Sequence, residues 1–295
     1  MKKFISILLF FTFITPSANA IYKGEDVSDN TLVAKTDSGC SAAPISTRIL
    51  ILAQHCSVKT GSTLISFYEE GKNNKVMYRV ISSFVPIKDY VNNRENDIMA
   101  IVVDKDMPIK NNIKIASYED IKRFTESESI VYFYGHGLID RYSYGSTPSR
   151  AAFRFVKNPP AYMNGHDGYT EFYSINNLSE VCSGDSGGPS YVFDNDYVYY
   201  LGATVSSNKP FCSSDSQPIS LARNALIHHH LYLIDQAKEF LLANPLILEP
   251  IKSTKIEETT TAVVAANSVS TKPKVIVKKI AAKNKKIVKK LGVKK

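Results

Sequence analysis

From residue 21 to about residue 224 the chain is a succession of short runs rich in β-branched and aromatic residues, each closed by turn-forming residues. The clearest are 48–52, 63–68, 76–84, 97–103, 129–134, 151–156, 191–193 and 197–205. Runs of that length, cut by Gly, Asn, Asp and Pro, read as strands of a sandwich or barrel. A doubly wound sheet needs helices between its strands, and the sequence shows no such alternation. The period changes only at 226–243, where Ile227, Leu231, Ile234, Ala237 or Lys238, and Leu241 share a helical face. Asn224 is placed to cap that helix, and Pro245 and Pro250 to end it. The reading is an all-β body closed by one helix.

With 295 residues, 44% of them hydrophobic, the chain can bury one large β domain or two small ones. Residues 1–20 stand apart from that core. Lys2 and Lys3 precede an apolar run over 4–14, and Ala18-Asn19-Ala20 is a small-residue cleavage site. The run is too short to span a bilayer and has the form of a secretory signal peptide. Export, to the periplasm or outside the cell, is the expectation. Cys40, Cys56, Cys182 and Cys212 make an even count, which in an exported chain favours disulfides. Four cysteines allow three pairings. No Cys-x-x-Cys pair is present, which argues against a Cys/His metal site; no cofactor is expected. His228, His229 and His230 are consecutive, so they point to different faces of a helix and read as surface, not as ligands.

The net charge of +8 is unevenly spread: residues 251–295 carry +11, residues 1–20 carry +2, and residues 21–250 carry −5. The basic character belongs to the tail. Residues 249–271 read as a flexible linker rich in Thr, Ala, Val and Ser. Residues 272–295 form a disordered Lys-rich tail in which Ile276, Ile280, Ile287 and Leu291 can share one helical face. Such a pattern suits contact with an anionic membrane or cell surface. With no aromatic residue to stack on bases, the tail argues against nucleic acid.

The chemistry is concentrated in three short motifs. Ser186 lies in Gly184-Asp185-Ser186-Gly187-Gly188-Pro189, where glycines let the backbone fold tightly round a hydroxyl. The N–H groups of Gly184 and Ser186 can then converge on one point, as an oxyanion hole needs. A serine hydroxyl needs a base, which His55 offers, and the base needs an orienting acid, which Asp97 offers in Asn96-Asp97-Ile98-Met99-Ala100. The order His, Asp, Ser is one of the known triad orders. In these motifs the chain resembles the trypsin/chymotrypsin-type serine endopeptidases.

The resemblance implies two antiparallel, six-stranded-type β-barrels over residues 21–248, with His55 and Asp97 from the first and Ser186 from the second. It implies disulfides Cys40–Cys56 and Cys182–Cys212, protein or peptide substrates, and a monomer. It gives Asp185 the free amino group of Ile21 as partner, with Ile21-Tyr22-Lys23-Gly24 standing where family members begin Ile-Val-Gly-Gly. Because Ile21 follows Ala20, signal cleavage alone would release that terminus. Gly135-His136-Gly137 resembles the family's Gly-Trp-Gly, and Val205-Ser206-Ser207-Asn208 its Val-Ser-Trp-Gly. Ser206 then supports the triad aspartate. Glu180 falls at the base of the specificity pocket and implies cleavage after Lys or Arg, while Asn208 and Ile219 depart from small pocket residues. The polar stretch 159–170 is expected as loops near the cleft. The alternative reading is a catalytically idle binding protein on the same fold, tethered by its tail.

Overall fold

The computed structural model describes residues 21–27, 31–67, 76–87, 96–109, 112–138, 143–144, 147–155, 169–175, 179–207 and 220–245. Residues 1–20 and 249–295, Asn208, Cys212, Ile219 and residues 159–168 lie outside them, while Tyr169 and Thr170, expected in the same loop stretch, instead pair with Ala225 and Asn224 in a strand. The strands are β1 (Glu25–Asp26), β2 (Ala34–Thr36), β3 (Ser41–Pro44), β4 (Ile49–Leu52), β5 (Leu64–Phe67), β6 (Val76–Phe84) and β7 (Met99–Val103), then β8 (Ile113–Ile115), β9 (Val131–Gly135), β10 (Ser149–Phe155), β11 (Tyr169–Ser174), β12 (Pro189–Asp194), β13 (Tyr197–Ser207) and β14 (Leu221–Leu226). The helices are α1 (Tyr118–Glu126) and α2 (Leu231–Ala243).

The first half closes into a barrel in the order β2-β3-β4-β7-β6-β5, with every pairing antiparallel. At its centre, β4 (Ile-Leu-Ile-Leu) pairs with β7 (Met-Ala-Ile-Val-Val), and both are buried along their whole length. One set of side chains fills the barrel; the other faces the rest of the molecule, so no polar alternation is possible. On β6, by contrast, Tyr78 and Val80 are buried while Met77 is exposed, the alternation of a half-covered strand.

In the second half the pairings form a ring: β9 to β10, β10 to β11, β11 to β14, β14 to β13, β13 to β12, and β12 back to β9, all antiparallel. β10 alternates buried and half-buried residues and sends Ala151, Phe153 and Phe155 inward. Phe133 meets Phe153 at a tilt, 4.7 Å between centroids, and Phe172 edge-on at 5.1 Å, so aromatic rings fill the interior. β1 adds to the edge of β10, and β8 runs parallel to β13, an exception to the antiparallel expectation. Between the barrels lie Tyr134, Tyr191 and Tyr200, in the same buried cluster as β4 and β7. The Tyr191 hydroxyl donates to the Leu32 carbonyl at 2.9 Å, tying the halves together.

The helices differ from expectation in two ways. α1 is absent from the sequence reading. It starts at a capping box: Ser117 Oγ accepts the Asp120 N–H at 3.1 Å, and the Asp120 carboxylate accepts the Ser117 N–H at 3.0 Å. Ile121 and Phe124 pin it to the second barrel. The second difference is the start of α2. Asn224 is no cap; it lies in β14, buried, and its amide donates to the Ser190 hydroxyl. A 3₁₀ turn, Ile227–His230, intervenes. It winds at about three residues per turn, so the 3.6 phase does not carry through from Ile227. Leu231 is consequently 44% exposed, and Leu233, Ile234 and Ala237 form the buried face. Phe240 packs on Phe84 of β6 at 6.1 Å, which sets α2 against the first barrel. The histidine run is only partly surface: His229 is exposed, His228 half-buried and His230 buried. Burial, with His229 and His230 alongside, pushes His228 down to about 4, so it is neutral at pH 7.

Candidate active site

β4 ends at Leu52, Ala53 stays extended, and a 3₁₀ turn, Gln54–Cys56, turns His55 out of the barrel wall. The turn is fastened by the Cys40–Cys56 disulfide to the residue before β3. Asp97, two residues ahead of β7, is fully buried. One of its oxygens accepts the His55 backbone N–H at 2.9 Å; the other lies 2.7 Å from His55 Nδ1. An ionised carboxylate only accepts, so Nδ1 carries the hydrogen and Nε2 is the basic nitrogen. Register places both residues together, since Leu52 pairs with Met99. The His55 side chain keeps 28% exposure, open to a reacting group.

Ser186 comes from the tight turn that leads into β12. Within it the Asp185 N–H donates to Cys182 C=O at 3.0 Å, Gly187 N–H to Thr204 C=O at 2.7 Å, and Gly188 N–H to Asp185 C=O at 2.9 Å. Among the described residues the N–H groups of Gly184 and Ser186 have no such acceptor. These are the two donors that the sequence assigned to an oxyanion. Gly184 has φ +95°, and a Cβ there would stand 2.8 Å from Gly137 Cα. No other residue suits that position. A Cβ on Gly187 would come within 2.4 Å of the Ser41 carbonyl and 2.8 Å of Leu52 Cβ. The serine turn therefore lies against the strands that carry His55. Ser41 N–H donates to Ser186 C=O at 2.9 Å, and the same oxygen is 3.7 Å from Cys56 Sγ.

Asp185 precedes Ser186 in the same turn. It is buried, accepts the Gly137 N–H at 2.8 Å and the Cys182 N–H at 2.9 Å, and occupies the space that side chains at 135 and 137 would fill. This gives Gly135-His136-Gly137 its physical reason. Burial pushes the Asp185 carboxyl up to about 8, against the pull of those two N–H groups and of Lys35. Ile21 is buried in the core of the second barrel, and Tyr22 pairs with Glu180, whose N–H donates to Tyr22 C=O at 3.1 Å. Ile21 thus enters beside the same 180–185 segment that holds Asp185.

A cleft of about 160 Å³ adjoins the serine, lined by Val181, Cys182, Ser183 and Ser186 on one side and by residues 204–207, Ser206 among them, on the other. Glu180, buried to 2% exposure, immediately precedes this wall. Cys182 is disulfide-bonded; Cys212, its expected partner, lies outside the described residues with Asn208 and Ile219. A larger hollow of about 300 Å³, between Lys23, Glu25, Tyr132 and Arg150, includes none of the three motif residues and is crossed by the Arg150–Glu25 ion pair at 2.7 Å. It shares no lining residue with the cleft beside Ser186. Cys40, His55 and Cys56 bring potential metal-binding atoms within 4.8 Å of one another, but the two sulfurs are joined in the disulfide and offer no thiolate.

Sequence reasoning missed Ser41, whose buried hydroxyl touches both Gly184 and His136. Its only signal was its place next to Cys40. Residues 22–225 match the protein-family model described as Trypsin. Among curated proteins, none matches the chain.

Proposed function

Since the chain belongs to the trypsin family of serine proteases, we propose that it hydrolyses peptide bonds in proteins through an acyl-enzyme on Ser186. The observation that carries the reading is the junction of the barrels. There a buried Asp97 fixes the His55 ring at 2.7 Å beside a serine turn with two uncommitted N–H groups. Ser186 Oγ attacks the carbonyl carbon as His55 Nε2 takes its proton. The N–H groups of Gly184 and Ser186 hold the oxyanion, and Asp97 steadies the imidazolium. The imidazolium returns the proton to the leaving amine, and water releases the acyl group by the same steps.

Three finer readings go with it. Cleavage after Ala20 turns Ile21 into a terminal ammonium, and that ammonium neutralises the buried Asp185 carboxylate and orders the Gly184 turn. Glu180, behind the cleft wall, favours Lys or Arg side chains in the substrate. The apolar run over 4–14 exports the enzyme, and the +11 of residues 251–295 holds it to an anionic membrane or cell surface.

The test is cleavage of a peptide library by wild type and by Ser186→Ala. Hydrolysis confined to the wild type supports the proposal, and equal hydrolysis by both overturns it. The same library reads Glu180: loss of a Lys/Arg preference in Glu180→Gln supports its role, and an unchanged preference refutes it. Vesicle binding reads the tail: truncation before Ile251 should abolish salt-sensitive binding to anionic vesicles and leave hydrolysis intact.

A further inference from the structure

The carbonyls of Gly184 and Ser186, the two residues whose N–H groups form the proposed oxyanion hole, are both held by one residue of the other barrel. Ser41, the first residue of β3, is fully buried. Its N–H donates to Ser186 C=O at 2.9 Å, and its hydroxyl donates to Gly184 C=O at 2.9 Å. The same Oγ accepts the His136 N–H at 2.9 Å. The next N–H, that of Gly137, goes to the Asp185 carboxylate at 2.8 Å. The loop after β9 and the serine turn therefore share two pins, Ser41 Oγ and Asp185. Cys40, on the other side of Ser41, is bonded through its sulfur to the turn that carries His55.

Gly184 is the residue that most needs such a pin. The Gly184 N–H shares a peptide plane with Ser183 C=O, which accepts the Leu138 N–H at 2.9 Å, while Gly184 C=O lies in the next plane; at φ +95° a glycine has wide freedom in ψ, the rotation that turns one plane against the other and the N–H away from the point shared with the Ser186 N–H. A carbonyl locked by a buried hydroxyl removes that freedom before substrate arrives, which is what preorganised donors require. Resting on the proposed peptidase activity, we infer that Ser41 is a positioning residue of the oxyanion hole: its hydroxyl bridges Gly184 C=O and His136 N–H and fixes the direction of the Gly184 N–H. It touches no reacting atom. A merely structural role, as one more buried hydrogen-bonded serine, would affect stability alone.

The test uses mature wild type, Ser41→Ala and Ser41→Cys, with ester and peptide substrates and a boronic acid as tetrahedral analogue. Ser41→Ala keeps the backbone bond to Ser186 and removes only the hydroxyl. It should lower kcat by about 10- to 100-fold with KM changed less than about threefold, and weaken boronic-acid binding by a similar factor. Ser41→Cys, with a weaker donor in the same place, should fall between. Unchanged kcat and boronic-acid affinity in Ser41→Ala, with only a lower unfolding temperature, would overturn the inference. Amide hydrogen exchange over residues 131–138 and 182–188 decides the anchoring apart from activity. Faster exchange at His136 and in the 184–186 turn of Ser41→Ala supports it, and identical exchange refutes it. If wild type itself hydrolyses nothing, the peptidase reading is what fails, and exchange still settles whether Ser41 holds the turn.

Discussion

A chain that retains Ala20 ahead of Ile21 has a neutral amide where the proposed cleavage leaves an ammonium. In that chain burial drives the Asp185 carboxyl from its ordinary 3.8 to about 8. A folded pKa above the unfolded one means that the folded state binds the proton more tightly. The resulting stability is complete below about pH 4 and is lost as pH rises towards about 8. A gap of about four units, at ~1.36 kcal/mol each, amounts to on the order of 5 kcal/mol, a large part of a typical domain's stability. The mature chain should behave in the opposite sense. There the ammonium favours the ionised carboxylate, and the loss moves to the alkaline side, where the amine gives up its proton. Urea unfolding at pH 4, 6 and 8 measures this for the extended chain, the extended chain with Asp185→Asn, and the mature chain. The extended wild type should weaken steeply relative to its Asp185→Asn partner between pH 4 and 8, and the mature chain should not. Parallel pH profiles for the extended pair would refute the claim that burial of Asp185 governs this stability, and full activity of the extended chain would refute the linkage to Ile21.

Three further outcomes follow from the same geometry. Asp97→Asn should leave the fold intact and lower kcat by about 10⁴-fold, because the asparagine amide favours the tautomer with hydrogen on Nε2; steady-state kinetics with circular dichroism checks both halves. Gly184→Ala puts a side chain at φ +95° against Gly137, so kcat should drop by about 10²- to 10³-fold with a stability loss of about 1–2 kcal/mol, read by kinetics and thermal unfolding. Replacing Cys40 and Cys56 by serine opens a loop of 16-residue separation and should destabilise the protein by about 3 kcal/mol, measured by urea unfolding under oxidising conditions.

The strands that the sequence made legible are those whose burial is written in their composition. β4, β6 and β7 are long or continuously apolar, and the run 76–84 coincides with β6. β2 and β3 were invisible because Ala-Lys-Thr and Ser-Ala-Ala-Pro carry few β-branched residues, and only barrel closure buries them. α1 was missed because just Ile121 and Phe124 of its nine residues are buried, a narrow apolar stripe on an otherwise polar segment. The Ser117-x-x-Asp120 box was the available signal. The site divides the same way. His55, Asp97 and Ser186 stand in short motifs whose order carries information, whereas Ser41 acts through a carbonyl 143 positions away and no local pattern announces it. The depth of Asp185 was likewise hidden, since an acid in a glycine-rich turn gives no sign that two glycines elsewhere make room for its carboxylate.

The most direct measurement is labelling of the mature protein with a fluorophosphonate, followed by mass mapping of the modified peptide. One adduct per chain is expected, on Ser186, absent from Ser186→Ala and strongly slowed in His55→Ala. No adduct on folded wild type, or undiminished labelling of Ser186→Ala, would contradict it.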